Sequence, residues 1–168
     1  MSSPAVTRLV HQFDLQPHPE GGYYRETYRC EERVQRLQSG QERSASTAIY
    51  YLLSGDAYSA WHRIRSDELW HFHAGCPLDI HVLDDLGQLR TLRLGNVLED
   101  PSARFQAVVP AGRWFAAERI DHRSYSFVGC TVAPGFEFSE FELADAAQLQ
   151  MQYPQHAALI QRLGRSTD

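Results

Sequence analysis

The sequence lacks the features that mark membrane, secreted and nucleic-acid-binding proteins. No apolar run approaches the roughly 20 residues that cross a bilayer, and residues 1–10 lack the apolar core of a signal peptide. The sixteen basic residues are dispersed among acids instead of forming a stripe, and the formal net charge is −5. We therefore expect a cytoplasmic protein with no membrane or nucleic-acid partner.

Cysteine is also scarce, with only Cys30, Cys76 and Cys130 in 168 residues. The three are widely spaced and form no CxxC pair, which is typical of reduced thiols that act as small buried hydrophobes. No phosphate, nucleotide or flavin motif stands out. These absences leave a globular protein whose chemistry depends on other side chains.

Aromatic residues are plentiful at 11% of the chain, as strands and pocket walls require. The length suits one domain over residues 1–168. Apolar residues at helical spacing predict a short helix over 4–14, and the apolar residues around Pro154 predict C-terminal helices. The polar stretch 31–43 predicts a mobile loop.

Between these ends the apolar residues alternate with period two, which predicts about ten short strands. The loop 84–87 joins two of them as a hairpin. Such a run of strands and turns is typical of an all-β sandwich or barrel. The candidates are 23–29, 46–53, 58–65, 68–74, 78–84, 88–94, 105–109, 113–118 and 123–132, with 136–141 as an edge strand.

The chemistry is concentrated in residues 61–75. His62 shares a strand face with Tyr58, Ala60 and Ile64, so it is predicted to point inward. Glu68 shares a face with Trp70 and Phe72 on the next strand. A carboxylate inside an apolar barrel is costly unless it is paired, and the nearby imidazole is the expected partner.

These residues resemble the first motif of the cupin superfamily. His62 matches its first histidine, Glu68 its glutamate and Gly75 its closing glycine, although the opening glycine is one place early and Ile64 replaces the second histidine. The second motif is similar at 110–112, but Phe115 and Arg119 occupy its histidine and asparagine positions. Two of the four usual metal ligands therefore remain, and a divalent metal on His62 and Glu68 would need a further ligand.

A longer series of segments resembles a largely uncharacterised cupin-like subfamily over roughly residues 8–143. That resemblance implies a cupin jelly-roll β-barrel of two antiparallel sheets, with its core at about 20–143, and a homodimer. Its functional analogues are nucleotide-sugar epimerases and isomerases. The segments are HPEGGYYRE (18–26), TAIYYLL (47–53), WHR (61–63), DELWH (67–71), VPAGRW (109–114) and CTVAPGF (130–136).

We therefore predict a small-molecule site in the barrel, with a sugar or nucleotide-linked sugar as ligand. In the enzyme hypothesis, a metal-independent epimerase or isomerase, His62 is the general base, Glu68 orients or stabilises it, and Tyr24 is the acid. Two alternatives stay open: a binding or sensing module without chemistry, and a degenerate metal-dependent cupin. The remaining candidate ligand contacts, several of which could equally be core, are His18 and Glu20 at the barrel mouth, Glu26, Thr47, Trp70, Phe72, Trp114 and Phe115.

Overall fold

The structure is a computed structural model that describes residues 3–165. It consists of a short N-terminal helix, a series of strands and a helical C-terminal segment. The helices are α1 (Pro4–Gln12), α2 (Ala146–Gln152) and α3 (Ala157–Arg162), with 3₁₀ helices at Phe138–Glu140 and Pro154–His156. The strands are β1 (Gln16–Pro17), β2 (Tyr23–Arg29), β3 (Arg33–Gln35), β4 (Glu42–Ser44), β5 (Thr47–Leu53), β6 (Ser59–Arg63), β7 (Asp67–Gly75), β8 (Leu78–Leu83), β9 (Leu89–Leu94), β10 (Gln106–Val109), β11 (Trp114–Arg119), β12 (Ser126–Ala133) and β13 (Glu142–Leu143).

Two antiparallel sheets face each other. One has the strand order β1-β2-β5-β12-β7-β10 and the other β13-β6-β11-β8-β9, while β3 and β4 form a separate hairpin. Consecutive strands such as β6 and β7 lie in different sheets, as the crossovers of a jelly roll require. The prediction of an all-β double-sheet barrel with a short N-terminal helix and C-terminal helices is confirmed.

Strand alternation determines which side chains enter the barrel. In β6, Trp61 packs outward with Ile160 and Leu163 of the C-terminal segment, whereas His62 turns into the space between the sheets. The main core lies between the sheets, and Tyr51, Trp70 and Phe115 are its largest members. The same periodicity thus buries one face under the helices and directs the other into the barrel.

Two local predictions were wrong. The stretch 31–43 is not a featureless mobile loop: it contains the β3–β4 hairpin, and Arg36 and Arg43 pair with the buried carboxylate of Glu140. Residues 136–141 do not form an edge strand, because the chain winds into the 3₁₀ helix there and Glu140 turns toward those two arginines. Both errors have one cause, since ion pairs between distant segments override local pattern.

Within residues 3–165, no helix is long and apolar enough to span a bilayer.

Candidate functional site

His62 is held at both ring nitrogens. Its Nδ1 lies 2.7 Å from the carbonyl oxygen of Ala60, and its Nε2 lies 2.8 Å from Oε2 of Glu20. The ring packs against Phe115 at 4.1 Å between centroids, and the residue is 3% exposed. Because both nitrogens face acceptors within hydrogen-bonding distance, the orientation of the ring is determined by its neighbours.

These contacts indicate the charge state of His62. Nδ1 must carry a proton to donate to the Ala60 carbonyl, and Nε2 lies at ion-pair distance from Glu20 Oε2. Burial lowers the pKa of His62, but the charge of Glu20 and its hydrogen bond outweigh burial and raise it. The carboxylate of Glu20 therefore favours the protonated form of His62.

The carboxyl of Glu20 responds in the opposite direction. Burial raises its pKa, but the charges of His62 and His18 prevail and lower it to about 2. His18 supports the same loop, because its Nδ1 accepts a hydrogen bond of 3.1 Å from the Glu20 backbone N–H. Glu20 is thus an ionised, buried partner of His62 at neutral pH.

The glycines after Glu20 allow its loop to enter the barrel. Gly21 has φ +111°, and a Cβ there would lie 2.2 Å from the carbonyl oxygen of Tyr58. The Tyr51 hydroxyl donates to the Gly21 carbonyl at 2.6 Å. The sequence predicts His18 and Glu20 at the barrel mouth, but Glu20 is 4% exposed, because the glycine turn carries it inward onto His62.

Glu68 lies in the same cavity without a cationic partner. It is 8% exposed, and across residues 3–165 it makes no ion pair. Burial raises its pKa to about 7; the His62 charge lowers it and the Glu20 charge raises it. Burial and the Glu68 charge also raise the pKa of the Cys130 thiol, which keeps that thiol protonated and unreactive.

The expected pairing of His62 with Glu68 on adjacent strands is therefore corrected. β6 belongs to the five-stranded sheet and β7 to the six-stranded sheet, so the two side chains face the cavity from opposite sheets. Glu20 supplies the carboxylate at Nε2. Sequence patterns could not reveal this pairing, because a loop residue has no strand periodicity to indicate its direction.

The cavity has a volume of about 340 Å³, within the range of small-molecule pockets. Its polar inner part contains Glu20, His62 and Glu68. One side, which we call the aromatic wall, is formed by Tyr24, Phe136, Phe138 and Phe141. Charged side chains of β2 and of the segment before the 3₁₀ helix complete the lining: Arg25, Glu26, Arg29 and Glu137.

The cavity brings together some of the predicted contacts and leaves others out. Besides His62 and Glu68, it is lined by His18, Glu20, Tyr24, Glu26 and Thr47. Trp70, Phe72, Trp114 and Phe115 do not line it, contrary to expectation. Trp70 and Phe115 are core residues whose rings contact each other at 6.3 Å between centroids, and Phe72 packs beside that core.

Trp114 is excluded by strand parity, because it lies on the opposite face of β11 from Phe115. Its ring packs with the outer cluster under the C-terminal helices, and the Arg63 guanidinium stacks over it at 4.3 Å. The missed lining residues had a partial signal: Ile49 shares the face of Thr47 on β5, and Cys130 and Val132 alternate on β12. No strand pattern could place the phenylalanines of 136–141.

The donor set does not fit a metal of the usual cupin type. Nε2 of His62 is directed at Glu20 and Nδ1 at Ala60, so neither nitrogen has a lone pair free for a metal. Ile64 occupies the second histidine position and also lines the cavity. Over the described part of the chain, no group of three or more His, Cys, Asp or Glu side chains could hold an ion.

A jelly-roll barrel with an internal polar cavity is typical of cupins. The chain belongs to the cupin superfamily: the family model "Cupin superfamily (DUF985)" matches residues 7–144, which confirms the resemblance seen in the sequence. Membership in this superfamily supports small-molecule binding in the barrel.

Several known proteins are similar to this chain. A hypothetical protein from Leishmania major is 35% identical with a TM-score of 0.87, covering 98% of this chain and 100% of its own. Protein SO0799 from Shewanella oneidensis is 37% identical with a TM-score of 0.87, covering 99% of each. Uncharacterized protein YML079W of Saccharomyces cerevisiae is 27% identical over 81% of this chain and 73% of its own.

More distant structures share the fold alone. Oxalate decarboxylase from Bacillus subtilis is 14% identical with a TM-score of 0.54, over 91% of this chain and 38% of its own. This similarity supports the cupin architecture.

Proposed function

We propose that this protein binds a small polar molecule in the barrel cavity and transfers a proton on it without a metal, as an isomerase or epimerase does. The observation that carries the proposal is the contrast between two buried carboxyls in one cavity. Glu20 is paired with His62 at 2.8 Å, whereas Glu68 makes no ion pair among the described residues. Paired titratable groups whose environments separate their pKa values are characteristic of acid–base sites.

In this proposal Glu68 exchanges the proton. Its pKa of about 7 lets it accept and release a proton near neutral pH, where general acid–base catalysis is most efficient. His62 is less suited to act as the base, because both of its ring nitrogens already face oxygen atoms of Ala60 and Glu20. Its positive charge would instead stabilise negative charge that develops on the ligand.

Tyr24 is the proposed second proton-transfer group. Isomerisation and epimerisation need one group to remove a proton and another to return it. The Tyr24 ring lines the cavity and contacts the His18 ring edge-on at 4.6 Å between centroids. In this proposal Glu68 takes the role of base that the sequence analysis assigned to His62, and Tyr24 remains the acid.

The test is solvent-proton exchange into carbon-bound positions, which does not require the substrate to be known beforehand. The protein is incubated in D₂O with a panel of sugars, hydroxy acids, amino acids and amines, and products are read by mass spectrometry. We expect the wild type to add deuterium to one substrate class and Glu68→Gln to abolish the addition. Glu99→Gln, an exposed acid outside the cavity, is the matched control.

Exchange by Glu68→Gln at the wild-type rate would contradict the assignment of Glu68. Failure of every panel compound to exchange would contradict proton transfer itself.

A binding or sensing module is the second candidate function. The rigid set of His62, Glu20 and Ala60 favours it, because groups held by one another suit recognition as well as chemistry. A ligand of this kind would raise the melting temperature of the protein progressively, with the logarithm of its concentration well above Kd, and would exchange no deuterium.

A further inference from the structure

Of the four carboxyls that line the cavity, one forms no ion pair within residues 3–165. Arg29 is bound by Glu26 at 2.8 Å and by Glu137 at 3.0 Å, so one cation faces two acids. Arg25 is paired with Asp14 at 2.8 Å. All the arginine charge at the cavity is therefore already matched.

Glu68 is the carboxyl of the cavity that forms no ion pair within the described residues. The third cation of the cavity, His62, is taken by Glu20, and no cationic side chain between residues 3 and 165 forms an ion pair with Glu68. The Glu68 side chain is more than nine-tenths buried and lines the cavity. A buried carboxylate that pairs with no cation is costly, and a bound cation would offset that cost.

The aromatic wall independently favours the same kind of ligand. Phe138 is 48% exposed although it lines the cavity. Its ring meets Phe136, Tyr24 and Phe141 at interplanar angles of 83°, 78° and 70°. The exposure of Phe138 leaves part of its ring accessible from the cavity, and an aromatic face attracts cations through its quadrupole.

We propose that the ligand of this cavity is a compact organic cation, a protonated or quaternary amine, whose charge is neutralised by Glu68 and whose alkyl surface packs on the aromatic wall. The inference rests on the proposed function only in using the same cavity. It departs from the nucleotide-linked ligand suggested by the sequence, because a diphosphate would need cationic side chains that the cavity has already paired. The cavity volume of about 340 Å³ limits the ligand to a small molecule.

The test compares probes of the same shape and different charge. Choline is titrated against its neutral isostere 3,3-dimethylbutan-1-ol and the anion 3,3-dimethylbutanoate, and acetylcholine against 3,3-dimethylbutyl acetate, by calorimetry. We expect each cation to bind about tenfold more tightly than its neutral isostere, and the anion to bind more weakly than both.

Two variants assign the preference to its sources. Glu68→Gln is expected to reduce the affinity for choline about tenfold while leaving the neutral isostere unchanged, because only the charge is lost. Phe138→Leu keeps an apolar side chain but removes the ring face, and should reduce the preference for the cation several-fold. Leu98→Ala, an exposed residue outside the cavity, should change neither affinity.

Equal affinity for cation and isostere, tighter binding of the anion, or no binding of either cation would overturn the proposal. The result is independent of the deuterium-exchange test. Cation selectivity without deuterium exchange would reject proton transfer and keep the cationic ligand. Deuterium exchange on an uncharged or anionic compound, without cation selectivity, would keep proton transfer and reject the cationic ligand.

Discussion

Glu20 and Glu68 are two buried glutamates that line one cavity in different electrostatic environments. Glu20 lies 2.8 Å from an imidazolium, and its pKa is about 2. Glu68 makes no ion pair within the described structure, and its pKa is about 7. Both are buried, so the difference comes from the partner and not from burial alone.

This difference predicts how stability depends on pH. Glu68 releases its proton at about 4.5 in the unfolded chain and at about 7 when folded. The folded state therefore holds an extra proton between these values, and its stability falls as the pH rises through them. Glu68→Gln removes this loss, so at pH 8 the variant should be about 3 kcal/mol more stable than the wild type by urea denaturation.

The pH dependence of the stability difference between variant and wild type is the control for this prediction. The advantage of Glu68→Gln should shrink as the pH falls from 7 toward 4.5, since the wild-type carboxyl is then protonated in both states. Glu20→Gln should behave oppositely and destabilise the protein at pH 8, because the ionised Glu20 stabilises the fold above about 4.5. An advantage of Glu68→Gln that does not change with pH would contradict the burial of an unpaired acid.

At the scale of elements, the site depends on a turn that only glycine allows. Residues 18–22 carry Glu20 into the barrel, and Gly21 adopts φ +111° with no room for a Cβ beside the Tyr58 carbonyl. Gly22, at φ +79°, is similarly confined, because a Cβ there would lie 2.5 Å from the carbonyl oxygen of Leu52. The turn is therefore limited by space as well as by backbone angle.

Gly21→Ala should consequently destabilise the protein by about 3 kcal/mol or more, because the strained backbone and the steric clash act together. Gly55→Ala is the matched control, since Gly55 has φ +59° but nothing within 4 Å of a Cβ. That control should lose about 1 kcal/mol, the cost of the left-handed conformation alone. Equal losses in urea denaturation would contradict the role of the Tyr58 contact.

The β3–β4 hairpin shows why local pattern was insufficient in one region. Most of the residues in its two strands are polar and half of them are exposed, which is typical of a mobile loop. The structure orders it through Arg36 and Arg43, which meet Glu140 from a distant part of the chain, and through the Arg36 bond to Ser66 Oγ at 2.7 Å. Such pairings depend on the assembled fold, so no window of neighbouring residues contains them.

For the whole molecule, two hydrophobic layers share the five-stranded sheet. Its inner face belongs to the barrel core and its outer face to the cluster under the C-terminal helices, which includes Trp61, Leu149 and Ile160. Neighbouring residues of β8 and β11 contribute to both layers. Loss of the helices would therefore expose apolar surface on a sheet that the barrel also needs.

We therefore expect residues 1–168 to unfold as one cooperative unit, as the single-domain prediction requires. Calorimetry should show one transition whose calorimetric and van't Hoff enthalpies agree. Ile160→Ala, which removes a fully buried side chain from the outer layer, should lower the temperature of that single transition. A separate early transition in this variant would contradict the shared core. The homodimer and the cytoplasmic location stay predictions; sedimentation equilibrium checks the first.

Local pattern was enough to predict most of the strands, because a period of two is a property of an extended chain. It also directed His62 and Glu68 inward, and both line the cavity. For Tyr24, alternation alone left open which face of its strand points inward. The pairing of Glu20 with His62, and the lack of an ion pair at Glu68 within the described residues, arose from the assembled fold. Those outcomes depend on distances between segments remote in sequence and on the burial they create together, and neither quantity is encoded in any single strand.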